Sequence, residues 1–364
     1  MLVNKQELEN AIKKIYASYE DIPPEFNLIL KAENNQLSVI LNEWHTLGIT
    51  INLKAQKVTN LLVAVDFLQF LSVVQNSQKE TVEIEKIGNL LKVDQYFVNC
   101  WQLTTNCKDT GKKLYQFKAK PLEIKRGIEY VNYARSGDET KLILCGIGIH
   151  PGYIAATDSH RLAEYIYGDR DIQTKPIGFY KYQQLLNFLE LEDDQDVAIT
   201  QYEYASIIES DNWIFYERIY HRVDYKSFIG CYPTTDQLVP RYVDSKVIID
   251  RVDLISVIER VSVCVGKEKH EIIKLNFDYN NLTINCCTDQ KHGEEKTEIT
   301  SDSRIQKPLE IAMNVAYLLQ AIKNLESEMI TIEFDNNENT KPVIISGTDN
   351  EKRIALLMPI QLRK

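Results

Sequence analysis

Apolar residues recur along the chain in an order that repeats three times. Each repeat opens with apolar positions about 3.6 residues apart, the spacing of a helix that buries one face. These positions are Leu8, Ile12 and Ile15 in the first repeat, Leu122, Ile124, Ile128 and Val131 in the second, and Leu254, Ile255, Ile258 and Val261 in the third. We therefore predict a helix at the start of every repeat.

Strands are predicted directly after each of these helices, where apolar and polar residues alternate. The first strand pairs cover residues 26–32 with 37–41, 142–149 with 153–156, and 272–277 with 282–286. A second helix begins roughly 60 residues after the first in every repeat, and such a period is typical of repeated modules. The second helices cover residues 63–74, 180–190 and 314–325, and further alternating strands follow each of them.

This repeated order predicts an α+β fold made of three tandem modules, at residues 1–118, 119–243 and 244–364. We expect each module to hold two helices packed on antiparallel sheets, because the apolar stripe of a helix needs a sheet to cover it. The sheet edges would be exposed unless they pair with a neighbour. Closing the modules into a ring is one way to cover those edges.

Composition places the chain among ordinary soluble globular proteins, with 364 residues of which 44% are hydrophobic and 26% charged. The formal net charge of −10 argues against a surface that is basic throughout. The six predicted helices carry as many basic as acidic residues, so the remainder of the chain accounts for the whole net negative charge. We therefore expect the helices to be less acidic than the rest of the surface.

The cysteines and the N-terminal residues indicate a cytoplasmic protein. Seven cysteines form no Cys-x-x-Cys pair, which argues against a disulfide framework and against a zinc site. The first residues lack an apolar signal segment, and no apolar run approaches the roughly 18 residues that a membrane span needs. We expect neither a metal site nor a cofactor.

Short segments with enzyme-like residue types do not combine into a catalytic site. Asp158, Ser159 and His160 are neighbours in the chain, and neighbours on an extended strand point to alternating faces, so they cannot form a triad among themselves. The glycines at 146, 148 and 152 miss the spacing of a dinucleotide-binding turn. We therefore predict that the protein is not an enzyme.

Several separate motifs nevertheless occur in one recognisable order. The segment 156–163 reads Ala-Thr-Asp-Ser-His-Arg-Leu-Ala, the segment 238–240 reads Leu-Val-Pro, and the segment 357–362 reads Leu-Met-Pro-Ile-Gln-Leu. Together these motifs resemble the bacterial DNA polymerase III beta subunits, the sliding clamps. The resemblance covers residues 119–364 well, whereas the first module diverges from the family pattern around Pro23 and Trp44.

The resemblance implies a head-to-tail homodimer whose six modules form a ring around duplex DNA. Such a ring would act as a processivity factor that tethers a replicative DNA polymerase and other replication or repair proteins through short peptide motifs, and a clamp loader would open it. An alternative stays open because of the divergent first module. In that alternative the chain is a specialised clamp paralogue or a monomeric peptide-binding scaffold that does not close a ring.

The same resemblance implies a partner-peptide groove between the second and third modules. Its expected residues are Leu144, Thr157, Ser159, His160, Arg161, Leu162, Pro240, Thr340, Pro342, Val343, Leu357, Met358, Pro359, Ile360, Gln361 and Leu362. An apolar C-terminal tail supports this expectation, because chain ends are usually polar unless they have a binding role. The flexible side chain of Met358 would suit a groove that accepts different partners.

Two further surfaces are expected from the ring arrangement. Basic residues on or beside the helices would face DNA and make weak contacts to phosphates without reading bases. They are Lys13, Lys14, Lys125, Arg126, Arg135, Lys141, Lys181, Arg251, Arg260 and Lys323. The dimer interface would join the first module of one protomer to the third module of the other. Its candidates are Phe97, Cys100, Trp101, Val263, Cys264 and Val265.

Overall fold

The computed structural model describes residues 1–18, 27–43, 47–103, 110–170, 174–189, 195–218, 235, 238–239, 243–264, 272–287, 292–349 and 352–361. The chain divides into two compact units. The first contains Met1–Lys125 and Ile177–Cys231, and the second contains Arg126–Pro176 and Tyr232–Lys364. The division into three modules at residues 118 and 243 stays a prediction.

The regular elements among the described residues are helices and antiparallel strands, as the predicted α+β class requires. The helices are α1 Lys5–Ala17, α2 Phe67–Asn76, α3 Pro121–Val131, α4 Leu142–Cys145, α5 Tyr182–Phe188, α6 Arg251–Ser262 and α7 Val315–Lys323. The strands are β1 Leu2–Asn4, β2 Asn27–Glu33, β3 Gln36–Glu43, β4 Leu47–Gln56, β5 Leu61–Asp66, β6 Thr81–Ile87, β7 Leu90–Val93, β8 Tyr96–Gln102, β9 Lys113–Ala119, β10 Ile147–His150, β11 Tyr153–Thr157, β12 Arg161–Ile166, β13 Ile177–Phe179, β14 Val197–Tyr202, β15 Ala205–Glu209, β16 Trp213–Arg218, β17 Ser245–Asp250, β18 Ile272–Phe277, β19 Asn281–Cys287, β20 His292–Glu298, β21 Leu309–Asn314, β22 Met329–Phe334, β23 Val343–Gly347 and β24 Arg353–Leu357.

The first unit is built on one long antiparallel sheet. Its strand order is β1-β6-β7-β8-β5-β2-β3-β4-β16-β15-β14-β9. Strand β4 pairs with β16, so residues 47–51 near the start of the chain join residues 213–217 in a single sheet. Helices α1, α2 and α5 bury apolar residues such as Ile12, Phe70 and Leu185.

The described part of the second unit contains two antiparallel sheets and an extensive apolar core. One sheet includes the strands β10-β11-β12-β24-β23-β22-β17 in that order, and the other has the order β20-β19-β18-β21. Helices α6 and α7 pack on these sheets, and the core between them includes Leu254, Ile258, Leu318 and Phe334. Strand β12 pairs with β24, with Arg161 opposite Leu357, which brings the 156–163 motif beside the C-terminal segment.

Four helices begin in the same way, with an Asn or Asp that ends the preceding strand and caps the helix. The side chain of Asn4 accepts a hydrogen bond from the Glu7 N–H at 3.0 Å, and that of Asp66 accepts one from Gln69 at 2.8 Å. Helix α6 starts identically at Asp250, and helix α7 at Asn314. These caps satisfy N–H groups that have no partner inside the helix and therefore fix where each strand turns into a helix.

Two predicted elements are wrong in part. Residues 63–66 belong to strand β5 rather than to the helix predicted at 63–74, because they pair with β2 and Asp66 caps the helix that follows. Residues 142–145 form helix α4 rather than the start of a strand at 142–149. A 3₁₀ turn at Glu139–Lys141, capped by the Asp138 side chain, leads directly into that helix.

The turn at residues 151–152 requires glycine. Gly152 has φ of +91°, and a Cβ atom at this position would lie 2.2 Å from the carbonyl oxygen of Asp169. No other residue type fits such a close approach to backbone. The turn joins β10 to β11 and so helps to position the strand that carries Thr157.

Candidate functional site

A largely apolar cavity of about 320 Å³ lies in the second unit where β12 begins and β24 ends. Its lining residues are Leu144, Thr157, Ser159, Arg161, Leu162, Leu238, Pro342, Leu356 and Met358. Apolar side chains supply most of this lining, with a few polar groups at the rim. Such a concave apolar surface suits apolar side chains of a ligand.

The floor of the cavity follows from the register of three neighbouring strands. Leu162 of β12 lies opposite Leu356 of β24, which in turn lies opposite Ile344 of β23. Opposed residues in antiparallel strands share one face of the sheet. These three leucine and isoleucine side chains form a small buried cluster, against which Val239 and Val243 also pack.

A tight turn at residues 157–161 forms one rim. The Thr157 hydroxyl donates to the Arg161 carbonyl oxygen at 2.6 Å, and the Asp158 carboxylate accepts the N–H groups of His160 and Arg161 at 2.9 and 3.0 Å. Ser159 adopts φ of +82°, in the left-handed region that side chains other than glycine rarely occupy. The turn is thus held by its own side chains and leaves Ser159 and His160 exposed.

The residues after β24 lie beside this turn and form another part of the rim. The Met358 N–H donates to the His160 carbonyl oxygen at 2.9 Å, and the Ile360 N–H donates to the Ala312 carbonyl oxygen at 2.8 Å. These bonds hold the C-terminal segment in place, and the side chain of Met358 is still 42% exposed. A flexible apolar side chain therefore lies at the cavity mouth, where it can adapt to a ligand.

Seven of the expected groove residues line this cavity: Leu144, Thr157, Ser159, Arg161, Leu162, Pro342 and Met358. His160, Thr340, Pro359, Ile360 and Gln361 lie near the cavity or in flanking segments but do not line it. Val343 and Leu357 face the protein core instead of lining the cavity, and their role in the groove stays a prediction. Strand alternation explains this, since Leu357 points away from the face that carries Leu356. Pro240 and Leu362 lie outside the described residues.

Sequence reasoning missed two lining residues, Leu238 and Leu356. Leu238 belongs to the Leu-Val-Pro motif that carried the family resemblance, so the motif itself was the available signal. Leu356 could have been found by alternation once Leu357 was assigned to the core.

Burial alters the acidity of two tyrosines beneath the turn. Desolvation raises the pKa of the Tyr133 phenol to about 12. Desolvation also raises the pKa of Tyr317, with a smaller contribution in the same direction from Asp158. The guanidinium of Arg161 lies 4.2 Å from the centre of the Tyr317 ring. Both phenols are therefore neutral at physiological pH and provide an uncharged surface for the arginine.

Many of the basic residues expected to face DNA have protein partners. Lys13 pairs with Glu9 at 2.5 Å, Lys323 pairs with Glu259 at 2.5 Å, and Arg260 forms a bidentate contact with Glu295 at 2.6 to 2.8 Å. Lys14 lies 4.4 Å above the ring of Phe188. Exposed ion pairs of this kind are weak and can exchange for other anions.

The other expected basic residues occupy varied positions. Arg135 and Arg251 donate to neighbouring groups at 2.9 Å, namely the Asn132 side chain and the Ser327 carbonyl oxygen. Lys125 and Arg126 lie on α3, Lys141 lies in the turn before α4, and Lys181 directly precedes α5.

The expected interface residues divide into exposed and buried groups. Phe97 and Trp101 lie on one face of β8 and are 54% and 52% exposed, and Val263 is 72% exposed just after α6. Cys100 faces the core, as alternation along β8 requires, and its assignment to an interface stays a prediction. Cys264 is half-buried near His292, and Val265 lies outside the described residues.

Neither metal ligands nor a membrane segment emerge from the part of the chain that the structure describes. No group of three or more His, Cys, Asp or Glu side chains is arranged there to hold a metal ion. None of the helices in the described ranges has both the length and the apolar character needed to cross a membrane.

The C-terminal part of the second unit is similar to a known family. Residues 236–361 match the family described as DNA polymerase III beta subunit, C-terminal domain. The beta sliding clamp of Synechococcus elongatus is 30% identical over 248 residues, covering 65% of this chain and 63% of that protein. The beta sliding clamp of Staphylococcus epidermidis is 27% identical over 244 residues, covering 65% of this chain and 62% of that protein. The chain thus spans somewhat under two thirds of the length of these relatives.

Solved structures extend the likeness in fold to the whole chain. The DNA polymerase III beta subunit of Pseudomonas aeruginosa superposes with a TM-score of 0.76 at 18% identity and covers 100% of both chains. The sliding clamp of Bacillus subtilis gives a TM-score of 0.72 at 19% identity and covers 100% of this chain and 99% of that one. The predicted α+β class is therefore confirmed, the chain has the fold of these sliding clamps, and its residues 236–361 are similar to the C-terminal domain of DNA polymerase III beta subunits.

Proposed function

We propose that this protein is a DNA polymerase processivity factor, a sliding clamp that encircles duplex DNA. The observation that carries this proposal is the apolar groove between the 157–161 turn and the C-terminal segment, within a chain that has the clamp fold along its whole length. The groove would dock short peptide motifs of a replicative polymerase, a clamp loader and other replication or repair proteins. Tethering raises the effective concentration of polymerase at the primer end, so dissociated polymerase rebinds quickly.

Retention on DNA would rest on topology rather than on tight electrostatic binding. The net charge is −10, and several helix lysines and arginines already pair with carboxylates. Weak contacts with phosphates are compatible with sliding because they break and form easily. The protein would serve as an accessory subunit without a catalytic reaction or cofactor of its own.

Ring closure would require a head-to-tail homodimer. Phe97 and Trp101 of one protomer would meet Val263 and its surroundings on the other. Large exposed aromatic side chains on a regular strand favour such a role, because aromatic residues are enriched at protein interfaces. A dimer of this kind closes on itself with two equivalent interfaces.

Binding of griselimycin tests the groove. A Pseudomonas aeruginosa sliding clamp has been crystallised bound to this compound, and we propose that it binds the present chain in the cavity. The substitution Met358→Glu should weaken binding at least roughly tenfold, because it places a charge at an apolar mouth. Leu68→Glu is a matched control, since Leu68 is 57% exposed on α2, outside the cavity. Isothermal titration calorimetry measures the affinity of both variants for griselimycin. Unchanged affinity of Met358→Glu would contradict the groove assignment.

A further inference from the structure

Arg161 uses its donors within the protein, although it lines the cavity. Its Nε donates to the Asp158 carboxylate at 2.9 Å, and its Nη1 donates to the side-chain oxygen of Gln320. Only 10% of its side chain is exposed. Two of the five N–H groups of the guanidinium are thus engaged by neighbouring side chains of the protein.

The planar guanidinium is also stacked on aromatic rings. It lies 4.2 Å from the centre of the Tyr317 ring and 5.7 Å from that of Tyr133. Arginine above a tyrosine face gains a cation–π attraction that strengthens when water is excluded. Gln320 and Tyr317 both belong to α7, so the two contacts fix the 157–161 turn on that helix.

Helix α7 supports the other rim of the groove as well. The Ile360 N–H donates to the carbonyl oxygen of Ala312, on the strand leading into α7. Arg353 of β24 donates to the Asn324 carbonyl oxygen at 3.0 Å and pairs with Glu326 at 2.6 Å, just after α7 ends. Both rims are therefore anchored on one helix and its flanking residues.

We propose that Arg161 is a positioning residue that sets the groove's shape by holding the 157–161 turn on α7. It acts through Gln320 and Tyr317 rather than by donating hydrogen bonds to the docked peptide. The proposal rests on the groove function proposed above and specifies how one rim keeps its position relative to the other. Gln320 then controls ligand affinity although it does not line the cavity.

Variants of Gln320 test this role, with griselimycin as the probe. Gln320→Met removes the acceptor and should weaken binding roughly tenfold, as expected for a lost hydrogen bond to a charged group. Gln320→Glu keeps an acceptor for Arg161 and should retain the affinity of the unmodified protein. Gln306→Met, at an exposed glutamine that does not line the cavity, is the control for replacing an amide side chain by a thioether and should bind normally. Unfolding temperatures would check that each variant is folded.

A double-variant cycle separates positioning from direct contact. If Gln320 acts through Arg161, then Arg161→Met with Gln320→Met should bind no more weakly than Arg161→Met alone. Loss of binding in Arg161→Met with normal binding in both Gln320 variants would mean that Arg161 contacts the ligand itself, and the proposal would be overturned while the groove stands. If the unmodified protein does not bind griselimycin, or if Met358→Glu binds it with unchanged affinity, both proposals are overturned.

Discussion

Glu217 is a fully buried carboxyl group in the first unit, and it acts as the N-terminal cap of helix α5. It lies on β16 and accepts the backbone N–H groups of Tyr180 and Lys181 at 3.0 to 3.2 Å, just before α5. Helix α5 has no capping side chain of its own at Lys181. Desolvation raises the pKa of Glu217 from 4.5 to about 7, although the two backbone hydrogen bonds act in the opposite direction.

A raised pKa makes the stability contributed by Glu217 depend on pH. The folded state holds the proton more tightly than the unfolded state, so this contribution is complete below pH 4.5 and is lost as pH rises to about 7. The full change is on the order of 3 kcal/mol in the free energy of unfolding. Glu217→Gln should therefore flatten the pH dependence between pH 4.5 and 7.

Urea unfolding at several pH values measures this effect. Glu209→Gln, on the neighbouring strand β15 and only half-buried, serves as the control and should keep the slope of the unmodified protein. Equal slopes for the unmodified protein and Glu217→Gln would show that Glu217 does not titrate in this range.

At the scale of single elements, one arrangement recurs. A strand ends in a capping residue, and the chain continues from that residue as a helix. It occurs at Asn4, Asp66, Asp250 and Asn314. Asp250→Ala should lower the free energy of unfolding by about 1 kcal/mol, because the Asp253 N–H loses its acceptor. Asp302→Ala, in an exposed turn, is the control for loss of one carboxylate. Equal stability of the two variants in urea would contradict the role of the cap.

Hydrophobic periodicity predicted most elements but not every boundary. The helix predicted at 63–74 began too early because the apolar residues of β5 continue directly into those of α2, and only the Asp66 cap separates them. Residues 142–145 are apolar enough for a strand, yet the preceding 3₁₀ turn continues as helix. Local hydrogen bonds determine where both helices begin, and the pattern of apolar positions does not predict these hydrogen bonds.

At the scale of the whole molecule, the exposed aromatic face of β8 is the feature that the proposed dimer would use. Phe97→Asp combined with Trp101→Asp should convert a dimer of twice 42.1 kDa into a monomer, because two charges would be buried without partners. Sedimentation at micromolar concentration measures the mass. Leu68→Asp is the control for an exposed apolar residue elsewhere, and a dimer that survives the double substitution would exclude this interface.

The candidate site was predictable to the extent that its residues lie in contiguous motifs. The turn around Ser159 and the segment around Met358 came from the resemblance, and the structure brings them together through the pairing of β12 with β24. Leu356 lines the cavity while Leu357 faces the core, and a motif does not specify which of two neighbouring side chains faces the groove. The Glu9–Lys13 pair follows from its i, i+4 spacing on α1, whereas Arg260 and Lys323 find carboxylate partners on other elements, which sequence spacing does not resolve.

Retention on circular DNA distinguishes a closed clamp from a monomeric peptide-binding scaffold. Labelled protein would be loaded onto nicked circular DNA in the presence of ATP and the clamp loader of the same host. The dissociation of the protein from DNA would then be followed at high salt, before and after a single restriction cut that makes the DNA linear. A topological link predicts slow loss from the circle and rapid loss once the DNA is linear, because weak phosphate contacts alone do not survive high salt. Equal dissociation from circular and linear DNA, or no retention on either, would contradict the sliding-clamp function.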